Sequence, residues 1–259
     1  DHGWLEGLLD ISEVLDYALF HASCTLEGNQ LIYDYVFKPL PGMDKVKGRE
    51  ICKNGSKSTN SNNKPINLPI NLNYFNIGTV KIDLHIFDRD PTVLAFGVSD
   101  KKGLKEFLDQ NGGIRVYREG IRVYDFGEPG NDWLELGGRR VNIPTERISN
   151  NIVLGAVSLK LESCKTLIEK TNREGFVENE ASKAFREAVF FAVKQIEAER
   201  YIDKKRIRQA YSSPTRREPV LEDLNKLREQ ITKRKLNGEL DEYLNRIERD
   251  FLDIRNLLL

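Results

Sequence analysis

The spacing of apolar residues changes near residue 178, and this change limits the fold more than any other feature. Before it, short runs of β-branched and aromatic residues, such as 30–40 and 152–161, alternate with turn formers, as expected of strands. After it, apolar residues recur every three or four positions, as on one face of a helix. We therefore predict a mixed α/β (α+β) body over residues 1–176 and a helical tail over residues 177–259.

The body contains further recognisable segments. Residues 5–20 and 101–110 carry helical spacing. Residues 78–87 alternate like a strand, and residues 92–98 cluster β-forming side chains. Residues 114–124 contain two short β-rich runs joined by a Glu-Gly pair, which predicts a hairpin.

The predicted tail contains a heptad pattern. Apolar residues in 220–231 step by 4, 3 and 4 positions, and those in 240–258 step by 4, 3, 4, 3 and 4. Asn237-Gly238 interrupts the pattern, so we predict an antiparallel helical hairpin. A seam that packs within one chain has the same pattern as one that forms a homodimer, so both alternatives stay open.

The composition argues against several classes of protein. The chain has 259 residues, and its 40 Lys and Arg balance 40 Asp and Glu, so no strong net charge attracts nucleic acid. No apolar run approaches the roughly 18 residues of a membrane span. Cys24, Cys52 and Cys164 contain no C-x-x-C pair, which indicates neither a disulfide framework nor a zinc site. We expect a soluble, cytoplasmic protein.

Familiar catalytic patterns are incomplete in this sequence. Asp125-Phe126-Gly127 matches the magnesium-binding tripeptide of protein kinases, but no H-R-D loop precedes it, and we reject that interpretation. Neither a P-loop nor a dinucleotide fingerprint occurs. His2, His21 and His85 show no metal-ligand spacing. With His21 on the first predicted helix and His85 in a strand, we interpret them as surface or core residues and predict no metal site.

A basic stretch offers an alternative function. Between positions 201 and 217 it contains Lys204, Lys205, Arg206, Arg208, Arg216 and Arg217. Such stretches track phosphates in nucleic-acid-binding proteins, and the competing interpretation is a solvated helix face. The alternative is therefore a non-enzymatic scaffold or nucleic-acid-binding module that uses this helix and the heptad tail.

Residues 113–176 carry the most specific motifs. The segment begins G-I-R-V-Y-R-E-G-I-R-V-Y-D-F-G-E-P-G-N-D-W-L, continues through S-N-N at 149–151 and ends K-T-N-R-E-G-F at 170–176. In this order the motifs resemble the segment that follows the ATP-binding domain in GHKL-type proteins, relatives of gyrase B, the ninety-kilodalton heat-shock chaperone, histidine kinases and MutL. The resemblance covers roughly residues 75–200.

The resemblance implies a transducer, or middle, domain with the fold of ribosomal protein S-five domain two. The family's ATP site uses a Glu/Asn helix and a D-x-G-x-G loop, which this sequence lacks. ATP and Mg²⁺ would then be bound mainly by an upstream domain of the same polypeptide, and this fragment alone would be inactive and without a cofactor. The transducer would couple ATP binding and hydrolysis to closure of a dimer or to a partner.

The resemblance also implies two site residues. Relatives send a cation from this domain to the γ-phosphate, and the local match is the Lys170–Glu174 segment. Arg173 would hold phosphate oxygens with its bidentate fork, and Lys170 would act beside it as a point charge. In the competing interpretation, Arg173 and Glu174 cap the following helix or form salt bridges with it.

Overall fold

The computed structural model describes most of residues 11–211. The described ranges are 11–53, 63–138, 147–172 and 174–211, followed by positions 224, 227, 243, 244, 246, 247 and 250. The chain divides into two compact units, Asp1–Ala210 and Tyr211–Leu259. Residues 177–210 of the predicted helical tail fall in the first unit.

The strands are β1 (Phe20–Glu27), β2 (Gln30–Phe37), β3 (Arg49–Lys53), β4 (Ile66–Asn67), β5 (Val80–Ile86), β6 (Gly113–Arg118), β7 (Ile121–Val123) and β8 (Val153–Leu159). The helices with described boundaries are α1 (Ile11–Asp16), α2 (Pro91–Leu94), α3 (Lys101–Asn111) and α4 (Glu180–Tyr211). None of the helices in the described ranges combines the length and apolar character needed to cross a bilayer.

The eight strands form one sheet. Its order is β3-β2-β1-β5-β8-β6-β7, and β4 pairs with β2. Strand β8 runs parallel to β6, and the other pairs are antiparallel. This sheet and the long helix α4 confirm the predicted mixed α/β class.

Helix α4 covers one face of the sheet. Its buried apolar residues include the whole predicted stripe, Phe185, Val189, Val193 and Ile196. The Tyr33 and Tyr35 hydroxyls of β2 donate hydrogen bonds to Glu199 and Asp203 of the helix, both at 2.9 Å. Because alternate side chains of a strand share a face, α4 lies on the face of β2 that carries these tyrosines.

The other face of the sheet is more polar, and we call it the polar face. Strand register places His21, Ser23 and Thr25 of β1 beside His85, Asp83 and Lys81 of β5. These six side chains are half-buried or exposed, whereas the alternating residues Ala22, Cys24 and Leu26 are buried on the α4 side.

Most predicted strands and helices are confirmed. Residues 30–40 contain β2, 78–87 contain β5, 101–110 match α3 and 152–161 contain β8, and residues 114–124 contain β7 and all of β6 except its first residue. The predicted hairpin turn is tight, because Glu119 and Gly120 both have positive φ, of 51° and 78°.

The prediction of a strand over residues 92–98 is wrong, because α2 begins at Pro91. The Asp90 carboxylate accepts a hydrogen bond from the Thr92 N–H at 2.8 Å, and proline has the φ of a first helical turn. The local cap therefore outweighs the β preference of the side chains that follow it.

The prediction of a helix over residues 5–20 is wrong at its C-terminal end. Helix α1 ends at Asp16, and β1 begins at Phe20. His21 consequently lies in a strand and not on a helix. The alternation of buried and exposed residues in β1 has the strand period, and pairing with both β2 and β5 satisfies its backbone.

Only part of the predicted heptad hairpin lies in the described residues. The seven described positions beyond residue 211 are helical. Of the predicted seam, Leu224 and Leu244 are buried, whereas Leu227 and Ile247 are about half exposed. The continuous seam stays a prediction.

Candidate functional site: the aromatic cleft beside Lys170

Two of the sequence motifs meet in one cleft. The segment 124–133 after β7 and the loop 168–177 lie side by side, because the Gly175 N–H donates a hydrogen bond to the Tyr124 carbonyl oxygen at 3.0 Å. The Lys170 N–H donates to the Gly175 carbonyl oxygen at 3.1 Å, which closes the loop on itself. The loop is therefore a short hairpin-like projection whose tip lies between Lys170 and Gly175.

The tip of this loop is exposed and locally ordered by one asparagine. The Asn172 amide donates to the Glu174 carboxylate at 2.7 Å, and the Asn172 side-chain oxygen accepts from the Glu174 N–H at 3.1 Å. These Asx-type hydrogen bonds join Asn172 to Glu174 without a partner from a neighbouring element. Arg173, the first predicted site residue, lies outside the described residues, between Asn172 and Glu174.

Four aromatic rings form the floor of the cleft. Trp133 stacks on Phe185 of α4, with centroids 5.7 Å apart and an interplanar angle of 10°. Phe126 contacts both Trp133 and Phe176, at 5.0 and 5.3 Å, and Phe176 meets Phe185 edge-on at 5.9 Å. The rings thus connect the loop, the segment after β7 and α4 in one packed group. We call the cleft that these four rings line the aromatic cleft.

The glycine of the Asp125-Phe126-Gly127 tripeptide has a packing role. Gly127 has φ of 72°, and a Cβ there would lie 2.5 Å from the Ile114 carbonyl oxygen. Only glycine fits such a close approach of two backbones. The turn that presents Phe126 to the cleft therefore depends on Gly127.

Trp133 and Asp132 are held by hydrogen bonds to the backbone. The Trp133 indole N–H donates to the Ile114 carbonyl oxygen at 2.8 Å. The Asp132 carboxylate accepts from the Leu136 and Gly137 N–H groups at 2.8 and 2.6 Å, in the manner of a helix cap. Both residues are thus held in place at the cleft wall.

The rim of the cleft carries three cations of unequal availability. Lys183 pairs with Glu180 at 3.2 Å, and Arg186 pairs with Glu135 at 2.9 Å. Lys170 is exposed at the mouth and has no ion-pair partner among the residues that the structure describes. The cleft, whose volume is about 270 Å³, is also lined by the carboxylates Asp125, Glu174 and Glu178, so Lys170 is, in the described ranges, its unpaired cation within a mixed-charge rim.

Ser182, a potential nucleophile in the cleft, serves as part of a helix cap. Its hydroxyl donates to the Asn179 carbonyl oxygen at 2.9 Å and accepts from the Asn179 N–H at 2.9 Å. The Asn179 side chain in turn accepts from the Ser182 N–H at 2.7 Å, a reciprocal cap of α4. The Ser182 hydroxyl therefore serves the N-terminal cap of α4.

The basic stretch of α4 divides into paired and exposed residues. Lys204 is buried and forms an ion pair with Asp88. Arg206 donates to Asp203 at 2.7 Å and to the Lys47 carbonyl oxygen at 2.8 Å. Lys205 and Arg208 are exposed. The remaining two candidates, Arg216 and Arg217, lie outside the described residues.

The ion pair of Lys204 shifts the pKa of Asp88. Burial opposes ionisation of this carboxyl, but the adjacent ammonium outweighs burial, so the pKa of Asp88 lies below its usual value. Burial also lowers the pKa of Lys204, although Asp88 counteracts that shift. Lys204 is thus committed to the interior of the protein and does not present its charge to solvent.

A second group of titratable residues lies on the polar face. Asp83 accepts hydrogen bonds from His21 Nε2 at 3.1 Å and from the Ser23 hydroxyl at 3.1 Å, and His85 Nε2 lies 3.0 Å from its other oxygen. The bond to Asp83 raises the pKa of His21, and the bonds from both histidines hold the pKa of Asp83 below its usual value. No local sequence pattern marks this group, because strand pairing alone brings β1 and β5 together.

Comparisons with known proteins do not identify this chain. No family model matches it, and no curated protein or solved structure matches it significantly. The functional interpretation therefore depends on the motifs and on the geometry of the cleft.

Proposed function

We propose that this chain is the transducer and C-terminal part of a GHKL-type ATPase. In this proposal an upstream domain of the same polypeptide binds ATP and Mg²⁺, and the present body follows the fold of ribosomal protein S-five domain two. The chain responds to the nucleotide and passes the response to a dimer partner or effector. On its own it hydrolyses no ATP.

The observation that carries the proposal is that Lys170, exposed at the mouth of the aromatic cleft, has no ion-pair partner within the described part of the chain. The neighbouring cations Lys183 and Arg186 already have carboxylate partners. A lysine ammonium is a compact point charge that binds phosphate oxygens. The exposed ammonium of Lys170 therefore supports the proposed contact with a nucleotide presented by another domain.

Arg173 completes the proposed contact. In the sequence it lies between Asn172 and Glu174, and the Asn172 side chain forms hydrogen bonds with the carboxylate and the N–H of Glu174. A guanidinium forms bidentate hydrogen bonds with phosphate and stabilises the charge that develops as the γ-phosphate leaves. We assign Arg173 this role and Lys170 the supporting charge.

The aromatic cleft supplies a route from the loop to the rest of the body. Phe176 follows the loop tip and contacts Phe185 of α4, and Trp133 stacks on the same ring. Packed rings resist small displacements, so a shift of the loop on nucleotide contact would shift the N-terminal part of α4. In the proposed mechanism, α4 then conveys closure to the C-terminal unit or a partner.

Single-turnover ATP hydrolysis by the natural-length protein tests the proposal. Arg173→Ala is expected to lower the rate about a hundredfold, in the range of losing one transition-state charge donor. Lys170→Ala is expected to lower it as well, whereas Lys165→Ala, an exposed lysine outside the cleft, should retain the wild-type rate. The 259-residue chain alone should be inactive.

Two results would contradict the proposal. One is a natural-length protein without ATPase activity. The other is wild-type hydrolysis by Arg173→Ala and Lys170→Ala proteins whose circular dichroism and thermal unfolding match the parent.

A further inference from the structure

Three potential metal ligands converge on the polar face of the sheet. His21 of β1 lies directly opposite His85 of β5, and Asp83 lies two residues before His85 on the same face. The described residues place one ligand atom from each of the three within 4.8 Å of the others. The cluster is thus fixed by strand register rather than by loop conformation.

The carboxylate of Asp83 bridges the two imidazoles. Its two oxygens lie 3.1 Å from His21 Nε2 and 3.0 Å from His85 Nε2. Bonds of ~2.0–2.2 Å from Zn²⁺ to nitrogen and oxygen place neighbouring ligand atoms about 2.9–3.5 Å apart at octahedral or tetrahedral angles. The separations between the carboxylate and each imidazole therefore already suit a shared ion.

The two imidazoles need only a small adjustment to share the same ion. Their ring centroids are 4.5 Å apart and their planes are tilted by 38°. Rotation about the side-chain torsions moves Nε2 without moving the strand backbone, and neither ring is enclosed, since the side chains of His21 and His85 are 40% and 26% exposed. An ion can reach the cluster from solvent for the same reason.

The ligand set favours a transition metal. Imidazole nitrogen suits zinc, copper, nickel and iron, whereas Ca²⁺ and Mg²⁺ prefer oxygen ligands alone. Two histidines and one carboxylate leave at least one coordination position for water, as in sites that bind exchangeable ligands. The Ser23 hydroxyl, which donates to Asp83 at 3.1 Å, orients the carboxylate as outer partners of metal ligands do.

We propose that His21, Asp83 and His85 form a binding site for one divalent transition-metal ion such as Zn²⁺. One coordination position of this ion is open to solvent. The site is independent of the proposed transducer function, because none of its ligands lines the aromatic cleft. Ion binding would join β1 and β5 across the centre of the sheet.

Isothermal titration calorimetry, in which Zn²⁺ is added to the purified chain, tests the site. We expect one ion per chain. We expect His21→Ala, His85→Ala and Asp83→Asn each to weaken the affinity about a hundredfold or more, because loss of a residue that only hydrogen-bonds to a metal ligand already lowers metal affinity about 10–100-fold. Lys81→Ala is the matched control, because Lys81 lies on the same strand and face and offers no ligand.

Two further controls exclude other donors in the chain. His2→Ala removes the third histidine of the sequence, and Cys52→Ser removes the cysteine that is not buried. Both variants should bind Zn²⁺ as the wild type does. Co²⁺ in place of Zn²⁺ gives a visible d–d spectrum that reports nitrogen and oxygen ligands, without the strong thiolate charge-transfer band.

The outcomes are distinct. Stoichiometric binding that each of the three ligand substitutions weakens, with normal circular dichroism and unfolding of the metal-free variants, supports the site. The proposal is overturned if wild type binds no Zn²⁺, if His21→Ala or His85→Ala binds it with unchanged affinity, or if Cys52→Ser or His2→Ala abolishes binding.

Discussion

Lys204 and Asp88 form a buried ion pair between α4 and the segment that follows β5. Removal of one partner leaves a buried charge uncompensated. We expect Lys204→Met to lower the free energy of unfolding by about 3–5 kcal/mol in urea denaturation. Lys205→Met, at the adjacent exposed position, should leave it nearly unchanged. Equal effects of the two substitutions would contradict the inward orientation of Lys204.

The pH dependence of stability gives a second test at the same residue. The pKa of Asp88 is lower in the folded protein than in the unfolded chain. Its ionisation therefore stabilises the fold at pH values above the unfolded pKa of about 3.9, and this contribution is lost as the pH falls through the folded pKa. Asp88→Asn should remove that part of the acid dependence.

Urea unfolding midpoints measured between neutral and acid pH compare the two proteins. The difference in stability between wild type and Asp88→Asn is expected to be largest near neutral pH and to shrink in acid. A difference that stays constant down to the lowest pH at which the protein folds would show that the Asp88 charge does not contribute.

At the scale of elements, Arg49 fastens β3 to α4. Its guanidinium donates to both oxygens of buried Asp203 at 2.9 and 3.0 Å, to the Glu199 carboxylate at 2.8 Å and to the Glu199 carbonyl oxygen at 2.8 Å. Tyr35 and Arg206 also donate to Asp203. This network joins the edge of the sheet to the helix.

Arg49→Lys tests the geometry of this network rather than its charge. Lysine keeps the positive charge but cannot reproduce the planar fork, so we expect a loss of about 1.5–3 kcal/mol, the range for hydrogen bonds to charged groups. Lys47→Ala, an exposed neighbour, is the control in thermal or urea unfolding. Wild-type stability of Arg49→Lys would mean that charge alone holds β3.

The elements differ in how well their sequences predict them. The stripe from Phe185 to Ile196 predicts α4, because one periodic pattern both forms the helix and buries its face. Residues 92–98 mislead, since their β preference is overridden by the Asp90 cap. The start of β1 after α1 is hidden for a related reason: the apolar residues before Phe20 fit either period.

At the scale of the whole molecule, the two candidate sites also differ in how well the sequence predicts them. The aromatic cleft follows from motifs that the sequence already displays, although only the fold shows that Phe126, Trp133, Phe176 and Phe185 share one group. The His21 cluster has no local sequence pattern. His21 lies about sixty residues before Asp83 and His85, and it meets them through the pairing of β1 with β5, which composition and spacing do not encode.

The contacts of α4 also predict where the first compact unit can be shortened. A chain that ends at Tyr211 keeps the whole of α4 and should unfold cooperatively, since residues 1–210 form a compact unit. A chain that ends at Lys194 keeps the aromatic cleft but loses the helix residues that pair with the sheet and its loops. The lost residues are Glu197, Glu199, Asp203 and Lys204.

The shorter chain is expected not to fold. The deletion removes the buried side chains of Ile196 and Ile207, each worth about 1.5–3 kcal/mol of burial, together with the partners of Asp88 and Arg49, against a typical domain stability of about 5–15 kcal/mol. Far-UV circular dichroism and urea unfolding of the two chains measure the difference. Cooperative unfolding of the chain that ends at Lys194 would show that the apolar residues up to Val193 alone hold α4 on the sheet, and that the second half of the helix contributes little to the fold.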